Sequence, residues 1–474
     1  QPALARRTPP DIPFHAMNAV PAEIFRAYDI RGIVGETLSA EIVRSIGQAA
    51  ASVALASGAA TFAIGRDGRL SGPELSRALA EGLSSAGADV IDVGMVPTPL
   101  AYFAAHFLGC GSAIQLTGSH NPPEYNGLKL VIRGDTLSGE KIQELRRRIE
   151  QGRLAEGSGT YATRDVSEDY LGRIASDVRL ARRMKIVVDC GNGVAGKLAP
   201  ELYRRLGCEV IELYCEIDGT FPNHHPDPSK PENLAALIER VAATGAELGL
   251  AFDGDGDRLG VVTSDGEVIF PDRQLMLYAA DVLSRNPGAE IIYDVKCTRL
   301  LAPWIERHGG RPVIWKTGHS FMKAKLQASG APLAGEMSGH TFFKERWYGF
   351  DDALYCGARL LEIVSRAADA SALLKAMPNA PSTPELNWKL AEGEPHALIE
   401  KLQRDPRLPG AERILTIDGV RAEYADGFGL ARASNTTPVM VLRFEGDTPE
   451  ALRRIQAEFR AALQGFKPET PLPF

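Results

Sequence analysis

Three stretches of the chain share one pattern of hydrophobic and polar positions. Each begins with a short apolar run, passes through an acidic or glycine-rich turn into an amphipathic segment of helical period, and ends on a second apolar run; they occupy residues 61–94, 185–214 and 291–318. This order predicts a strand, a crossover helix and a parallel strand each time. We therefore expect three related α/β units, with functional loops at the carboxyl ends of their strands.

The end of the chain follows a different pattern. The runs ILTIDGVRAEY and VMVLRFEG have the character of strands, and no crossover helix separates them. A helix is predicted to begin with Thr448 as its N-cap and Pro449 in its first turn. We predict a small α+β domain here, joined to the rest through the proline-rich segment AMPNAPSTPELN.

A chain of 474 residues is too long for one hydrophobic core. The predicted α/β domains cover residues 18–165, 166–267 and 268–379, and the α+β domain covers 380–474. Residues 1–17 lack the apolar run of a signal peptide, and we interpret them as a disordered tail or an expression remnant.

Composition excludes several classes of protein. A net charge of −7 argues against nucleic acid as a partner, which requires a basic surface. The chain has no apolar run of about 18 residues, so no membrane span is expected. Its six cysteines show neither CxxC nor zinc-like spacing and indicate free thiols in a reducing compartment. These features predict a cytoplasmic chain.

An acidic turn, DGDGDR, occupies residues 253–258 between two apolar runs. Asp253, Asp255 and Asp257 alternate with glycine, and their mutual repulsion would be costly without a cation. Carboxylate oxygens favour Mg²⁺, Mn²⁺ or Ca²⁺ over zinc, and Mg²⁺ often binds phosphate oxygens as well. An EF-hand does not fit, because Arg258 and Ser264 stand where that loop needs glycine and glutamate. The turn predicts a divalent-cation site, and a purely structural turn is the alternative.

A second loop is predicted at residues 116–129, LTGSHNPPEYNGLK, because glycine, proline and asparagine dominate it. It carries Ser119, His120 and Lys129. Ser119 stands in neither signature of an acyl-transfer serine, GxSxG or SxxK, which argues against a hydrolase.

Two more loops carry candidate ligand-binding groups. The segment RASNTTP, residues 432–438, combines a guanidinium with hydroxyls and an amide, a set that suits a phosphate, although a polar turn is the alternative. The segment GEMSGH, residues 335–340, brings together an acid, a hydroxyl and an imidazole, which suits a sugar as well as a glycine-rich turn.

The octet GNGVAGKL, residues 191–198, matches the dinucleotide-binding pattern GxGxxG, and Glu212 follows at a fitting distance. However, Asp189 at the end of the preceding strand would face the pyrophosphate. Leu198 also stands where a P-loop needs Ser or Thr. Close packing of a helix on a strand explains these glycines better.

Six motifs together resemble the α-D-phosphohexomutase family, most closely its bacterial phosphomannomutase/phosphoglucomutase branch. They are FRAYDIRG (25–32), GRDGRLSG (65–72), TGSHNPPEYNG (117–127), DGDGDR (253–258), GEMSGH (335–340) and RASNTTP (432–438). The resemblance implies three related mixed α/β domains plus a C-terminal α+β domain around a central active-site cleft.

The resemblance also implies an activity. It is the reversible, Mg²⁺-dependent transfer of phosphate between the 1- and 6-positions of mannose and glucose phosphates. Transfer would pass through a phosphoserine and a hexose 1,6-bisphosphate, which also serves as activator. A phosphoglucosamine mutase is the alternative, although that branch favours SASHNP and GEQSGH over TGSHNP and GEMSGH. A dinucleotide-dependent oxidoreductase is a further alternative, based on GNGVAG alone.

The resemblance also implies roles for individual residues. The metal ligands would be Ser119, Asp253, Asp255 and Asp257; the catalytic residues Ser119, His340, Lys129, Arg31 and Arg258; the substrate-binding residues Tyr28, Lys296, His319, Glu336, Ser338 and His340; and the phosphate-binding residues Arg432, Ser434, Asn435 and Thr436. His340 is favoured over Lys129 as the general base because imidazole titrates near neutrality. The expected partners are small hexose phosphates, bound by a monomer.

Overall fold

The structure is a computed structural model that describes residues 20–435 and 437–474. The tail predicted at residues 1–17 lies outside the described residues. Four sheets, each with its own helices, make up the rest. The predicted fold class, three mixed α/β domains followed by an α+β domain, is confirmed.

The first domain is built on a seven-stranded mixed sheet. Its strands are β1 (Ile30–Ile33), β2 (Thr61–Arg66), β3 (Asp89–Met95), β4 (Ala113–Leu116), β5 (Tyr125–Ile132), β6 (Asp135–Thr136) and β7 (Tyr161–Thr163), and its helices are α1 (Ala40–Ala56), α2 (Gly72–Ser85), α3 (Thr98–Phe107) and α4 (Glu140–Glu150). The order β1-β5-β4-β2-β3-β7 places β2 parallel to β3 and β4, while β5 runs antiparallel to β4. The connection from β4 to β5 contains the middle of the predicted serine loop, but the prediction of a loop over residues 116–129 was too long, because Leu116 ends β4 and residues 125–129 belong to β5.

The second domain repeats this plan with five strands. It contains α5 (Ser167–Asp177), β8 (Lys185–Asp189), α6 (Ala199–Arg205), β9 (Glu209–Leu213), α7 (Ala235–Thr244), β10 (Leu248–Phe252), β11 (Leu259–Thr263) and β12 (Val268–Ile269). Strand β8 is parallel to β9 and β10, and β11 returns antiparallel to β10. The acidic turn joins β10 to β11.

The third domain has the same arrangement. It contains α8 (Pro271–Leu283), β13 (Glu290–Asp294), α9 (Leu301–Arg307), β14 (Arg311–Trp315), α10 (His319–Ser329), β15 (Leu333–Gly335), β16 (Thr341–Phe343), α11 (Ala353–Val364) and α12 (Ala370–Lys375). Strand β13 is parallel to β14 and β15, and β16 is antiparallel to β15. The GEMSGH segment joins β15 to β16, so the three functional loops occupy the same connection in three related domains.

The fourth domain is an antiparallel sheet covered by two helices. It contains β17 (Leu386–Lys389), α13 (Glu394–Arg404), β18 (Arg413–Leu415), β19 (Val420–Tyr424), β20 (Gly427–Ala433), β21 (Val439–Gly446) and α14 (Pro449–Phe466). The Thr448 side chain accepts a hydrogen bond from the Ala451 amide at 3.2 Å, which confirms the predicted N-cap. The proline-rich segment is not wholly a linker, because its last two residues begin β17.

The hydrophobic cores explain how the cleft is held. One continuous core contains side chains of the first three domains, from Ala63 to Met377, and therefore fixes their relative positions. The fourth domain has a separate core between its sheet and helices. Among the described residues, no helix combines the length and apolar character needed to span a membrane.

Candidate active site

The three equivalent hairpin connections meet in one buried cluster. The acidic turn lies at the middle of this site, and its three carboxylates are fully buried. One ligand oxygen from each of Asp253, Asp255 and Asp257 lies within 4.8 Å of the others. Three buried carboxylates this close repel one another strongly unless cations offset their charge.

The turn is shaped by its first carboxylate. Asp253 Oδ1 accepts hydrogen bonds from the amides of Gly256, Asp257 and Arg258, each at 3.1 Å. Burial, together with the charges of Asp255 and Asp257, raises the pKa of Asp253 well above its usual value. The backbone of the turn therefore folds around Oδ1 of Asp253 and leaves Oδ2 of that residue to contact the serine loop.

Lys129 of β5 supplies the nearest positive charge. Its Nζ donates to Asp255 Oδ2 at 2.7 Å and to Asp257 Oδ2 at 2.5 Å, and Thr98 Oγ1 also donates to Asp255 Oδ2 at 2.5 Å. Burial alone would lower the pKa of Lys129, but the two carboxylates raise it well above its usual value. Lys129 is therefore a fixed cation of the site.

The remaining oxygens of the turn fit a metal ion. Within the described residues, Oδ1 of Asp255 is buried without a hydrogen-bond partner, and Oδ1 of Asp257 lies 3.3 Å from His340 Nε2. Buried carboxylate oxygens are rarely left without a partner. Hard oxygen donors in this number suit Mg²⁺, whose remaining ligands are usually water or phosphate.

Ser119 lies beside the acidic turn. It is 1% exposed, and its Oγ donates to Asp253 Oδ2 at 3.4 Å. Its backbone has a φ of 50°, in the left-handed region that a serine seldom adopts. His120 Nδ1 lies 3.2 Å from the same hydroxyl. The serine and the aspartates, 134 residues apart in sequence, thus form one cluster.

His340 lies on the opposite side of the acidic turn. Its Nε2 is 3.3 Å from Asp257 Oδ1, and its Nδ1 is 3.0 Å from Glu336 Oε2 and 3.1 Å from Ser338 Oγ. Burial acts to lower the pKa of His340, but Asp257 and Glu336 raise it to about 9. His340 was favoured as a base because imidazole titrates near neutrality. In the metal-free chain, its neighbours instead raise its pKa above that range.

This electrostatic environment predicts an unusual titration. In metal-free protein, the His340 ring is expected to stay protonated at pH 7 and to titrate near pH 9. Asp257→Asn should move the midpoint towards the ordinary value of 6.5, because it removes the carboxylate that contributes most to the rise. Histidine NMR titration measures both midpoints. Asp189→Asn serves as the control, since Asp189 contacts His224 alone among the histidines of the described chain. A wild-type midpoint near 6.5 would contradict this account.

His319 and Tyr28 form an aromatic wall next to His340. The Tyr28 ring meets the His319 ring edge to face at 5.2 Å, and His319 lies 5.6 Å from the His340 ring. Burial and the charges of Lys323 and Lys129 hold the pKa of His319 well below its usual value, so this imidazole is neutral. Neither of its ring nitrogens has a hydrogen-bond partner among the described residues, which leaves them available to a polar ligand.

Two arginines flank the acidic turn and the serine loop. Arg258 Nε lies 3.8 Å from Asp253 Oδ2 and 3.4 Å from His340 Nε2. Arg31 donates to Asn121 of the serine loop at 2.5 Å and pairs with Asp29. Both guanidiniums add positive charge where an anionic ligand would lie.

Lys296 enters from the third domain. It follows β13, and its Nζ donates to Glu385 Oε2 at 3.0 Å. Burial would lower the pKa of Lys296, but Glu385 and Asp294 raise it. Arg421 of the fourth domain donates to the carbonyls of Val295 and Cys297, each at 2.7 Å, which fixes the backbone on both sides of Lys296.

The fourth domain contributes the end of β20 and the loop that follows it. Arg432 is 4% exposed and its Nε donates to Asp418 Oδ2 at 3.1 Å, while its Nη2 is buried without a partner in the part of the chain that the structure describes. Asn435 Nδ2 donates to the carbonyl of Thr317 in the third domain at 3.5 Å. The Ser434 amide donates to the carbonyl of Val439 at 2.9 Å. Thr436, also predicted to bind phosphate, lies outside the described residues.

Sequence reasoning missed several residues of this site. The clearest is Asp351, which is fully buried, accepts from Lys323 Nζ at 2.8 Å and lies 3.9 Å from both His319 Nδ1 and His340 Nε2. Its only sequence signal is a pair of aspartates before a helix, where Asp352 is the N-cap. Thr98, Glu385 and Asp418 were missed for the same reason, since each is identified only by its contact with another loop.

The octet at 191–198 does not form a dinucleotide site. The Asp189 carboxylate accepts from the Gly191 amide at 2.9 Å and from His224 Nε2 at 3.0 Å, so it occupies the turn where a pyrophosphate would bind. A Cβ on Gly196 would lie 2.0 Å from the carbonyl oxygen of Cys215. The glycines therefore permit close packing, and the oxidoreductase alternative is not favoured.

Comparisons with known proteins agree with this geometry. Phosphoglucomutase/phosphomannomutase α/β/α domain models I, II and III match residues 22–156, 168–266 and 270–380, and the C-terminal domain model matches 385–462. A phosphomannomutase/phosphoglucomutase of Pseudomonas aeruginosa is 58% identical over 96% of this chain and 98% of its own.

Two further relatives extend the comparison. A phosphoglucomutase of Neisseria gonorrhoeae is 56% identical over 94% of this chain and 98% of its own. The crystal structure of a phosphoglucomutase/phosphomannomutase family protein from Burkholderia thailandensis, 59% identical, superposes with a TM-score of 0.92 over 96% of this chain and 100% of that chain. The chain belongs to the phosphoglucomutase/phosphomannomutase family, within the α-D-phosphohexomutases.

Proposed function

We propose that this chain is an Mg²⁺-dependent mutase that interconverts the 1- and 6-phosphates of mannose and glucose. The observation that carries the proposal is the 3.4 Å approach of Ser119 Oγ to Asp253 Oδ2, next to Asp255 and Asp257. A serine at this position suits the storage of a phosphoryl group. The names of the Pseudomonas and Neisseria relatives support the same substrates.

In this proposal Ser119 is carried as phosphoserine, and Ser119, Asp253, Asp255 and Asp257 hold Mg²⁺. When bound, the ion offsets negative charge on the phosphoryl group being transferred. Lys129 and Arg258 add fixed positive charge on either side of the same group. Enzymatic phosphoryl transfer depends mainly on such positioning and charge neutralisation.

The first transfer breaks the bond between the Ser119 oxygen and phosphorus and forms a bond from phosphorus to a sugar hydroxyl. One proton must leave that hydroxyl, and one must reach the serine oxygen. His340 must first lose its ring proton to accept one, but its pKa of about 9 lies closer to neutrality than that of Lys129, which Asp255 and Asp257 hold well above its usual value. Ser338 and Glu336 orient the imidazole through Nδ1.

The product of that step is a hexose 1,6-bisphosphate, which must turn within the cleft. The second transfer then returns the other phosphate to Ser119 and leaves phosphate at the opposite end of the sugar. One site must therefore hold two poses that share a distal phosphate position. That phosphate would be bound by Arg432, Ser434, Asn435 and Thr436. Sugar hydroxyls would be bound by Glu336 and Ser338, and the cleft would be lined by Tyr28, Arg31, Lys296 and His319.

The chain would act as a cytoplasmic monomer on small-molecule hexose phosphates, without a nucleic-acid or membrane partner.

The direct test is conversion of glucose 1-phosphate to glucose 6-phosphate by the purified chain. The assay contains Mg²⁺ and a trace of glucose 1,6-bisphosphate, and mannose 1-phosphate and glucosamine 1-phosphate are tested in parallel. Turnover of the glucose and mannose phosphates supports the proposal. Turnover of glucosamine 1-phosphate alone would assign the chain to the phosphoglucosamine branch, and an inactive chain that binds NAD(H) saturably would overturn the proposal.

Arg432 provides a test of the distal phosphate position. Arg432→Met should raise the KM for glucose 1-phosphate about 30-fold, because a charge-assisted hydrogen bond to phosphate contributes about 2 kcal/mol. We expect kcat to fall less, since a phosphate does not react while it occupies the distal position. Arg413→Met is the matched control, because Arg413 is an exposed arginine on β18 of the same domain. An unchanged KM for the Arg432 variant would remove this residue from the phosphate position.

A further inference from the structure

Arg69 lies in the turn between β2 and α2, within the motif GRDGRLSG, and is 2% exposed. Its guanidinium uses all five of its N–H donors, the full number that arginine offers. Nε donates to the carboxylate of Asp67 at 3.1 Å. The other four bonds go to carbonyls of the serine loop, those of Pro122 (2.6 Å), Tyr125 (2.9 Å), Ser119 (2.9 Å) and Asn121 (2.7 Å). Among the described residues, the side-chain hydrogen bonds of Arg69 therefore go to Asp67 and to the backbone of the serine loop.

Asp67 extends this contact to the other side of Ser119. Its Oδ2 accepts from Thr117 Oγ1 at 2.7 Å and from the Gly118 amide at 3.3 Å. Thr117 Oγ1 in turn accepts from the Ser119 amide at 2.8 Å. The residues before and after Ser119 are thus held by one buried ion pair.

Ser119 needs such support because its φ is 50°. A non-glycine residue adopts this left-handed conformation at a cost, and it persists where surrounding contacts over-determine it. The Ser119 carbonyl that accepts from Arg69 also abuts the acidic turn, since a Cβ on Gly254 would lie 2.3 Å from that oxygen. The same peptide group therefore connects Arg69 with the predicted metal loop.

The second domain covers Arg69 from the solvent side. The guanidinium lies 5.2 Å from the centre of the Phe221 ring, and a Cβ on Gly219 would approach the Gly68 carbonyl at 2.6 Å. In the first domain, a Cβ on Gly118 would lie 2.4 Å from Arg69 Cζ, so the guanidinium lies directly against that glycine. Arg69 is enclosed on both sides, and water has no room to replace its hydrogen bonds.

We propose that Arg69 is a positioning residue for phosphoryl transfer, which holds the Ser119 backbone in the conformation that directs Oγ at the acidic turn. This inference rests on the proposed mutase function. Because Arg69 contacts the back of the loop and not the cleft, it should affect kcat and leave substrate binding nearly unchanged. A purely structural arginine would affect stability without changing the kcat of the folded protein.

Arg69→Lys tests the proposal, because lysine keeps the positive charge beside Asp67 but lacks the planar fork of donors. We expect kcat for glucose 1-phosphate to fall about 10²-fold, the effect of a small misplacement of a reacting group. The KM should stay within about threefold, as expected when an interaction acts only on the transition state. Arg359→Lys is the matched control, since Arg359 is fully buried and ion-paired with Glu345 and Asp281 away from the cleft. It should lower the thermal midpoint and leave kcat unchanged.

Gly118→Ala is the second variant. It tests the positioning role of Arg69 if Arg69→Lys fails to fold. Gly118 does not have a positive φ, so alanine fits its backbone while the new Cβ displaces the guanidinium. We expect the same fall in kcat at nearly constant KM. Gly172→Ala is its control, because a Cβ there meets no atom within 4 Å.

The outcomes separate this inference from the proposed function. An inactive wild-type chain would defeat the mutase assignment itself. An active wild type with folded Arg69→Lys and Gly118→Ala variants of near-normal kcat would overturn the positioning role. A rise in KM that matches the whole loss in kcat/KM would also overturn it, because it would show a role in substrate binding.

Discussion

Replacing Ser119 with alanine is expected to lower kcat for the conversion of glucose 1-phosphate to glucose 6-phosphate by about 10³-fold or more. The substitution removes the oxygen that would carry the phosphoryl group, and no neighbouring group occupies its position. The KM should change little, since the sugar and its distal phosphate contact other loops.

Two further measurements make this prediction specific. The intact mass of the wild-type protein should show one added phosphoryl group on the peptide that contains Ser119, and the alanine variant should lack it. Ser112→Ala is the matched control, because Ser112 is also buried and lies before β4, at the end opposite the serine loop, where its hydroxyl accepts from the Arg133 amide. Full turnover by the Ser119 variant would end the phosphoserine mechanism.

Removal of divalent cations is expected to have an effect of similar size. A chelated enzyme should lose activity about 10³-fold, because the negative charge of a phosphoryl group would then face three buried carboxylates without an offsetting ion. Lys129 and Arg258 offset part of this charge, but both are already paired with the carboxylates of the turn. Adding Mg²⁺ back should restore the rate.

Metal binding can also be measured without turnover. Mg²⁺ at about 100 times its dissociation constant should stabilise the folded protein by about 2.7 kcal/mol and raise its thermal midpoint. Asp255→Asn should weaken this response, whereas Asp265→Asn, an exposed carboxylate in the turn after β11, should keep it. Full activity in chelator, with residual metal below the enzyme concentration, would contradict the role assigned to the acidic turn.

Much of the fold follows from local patterns. The three strand–helix–strand units were predictable because hydrophobic periodicity and turn residues act over about ten neighbouring positions. The N-cap at Thr448 was predictable because its hydrogen bond to Ala451 spans three residues. In the fourth domain, β17 was missed because it is a short edge strand that follows a run of prolines.

The candidate site was predictable to a lesser degree. Residues within the distinctive motifs, such as Ser119, Asp255 and His340, could be proposed from sequence because loops rich in glycine and charge carry a recognisable chemical signal. Asp351 and Arg69 could not be assigned a role in this way, because their importance arises from the groups that they contact in other loops. Asp351 lies near His319 and His340 only after the third domain has folded.

By itself the sequence determined which segments form strands, helices and functional loops, because those preferences arise from short-range sterics, turn chemistry and hydrophobic periodicity. The tertiary structure decided that the loops at residues 119, 253–258 and 335–340 meet, and that the pKa of His340 rises to about 9. Both outcomes require groups far apart in sequence to lie within a few ångströms, as Ser119 and Asp253 do across 134 residues and as Asp257 and His340 do between two domains. The shared core of the first three domains sets these distances, because it fixes the relative positions of elements that are far apart in sequence. The separation of two elements along the chain does not reveal how close they lie in space.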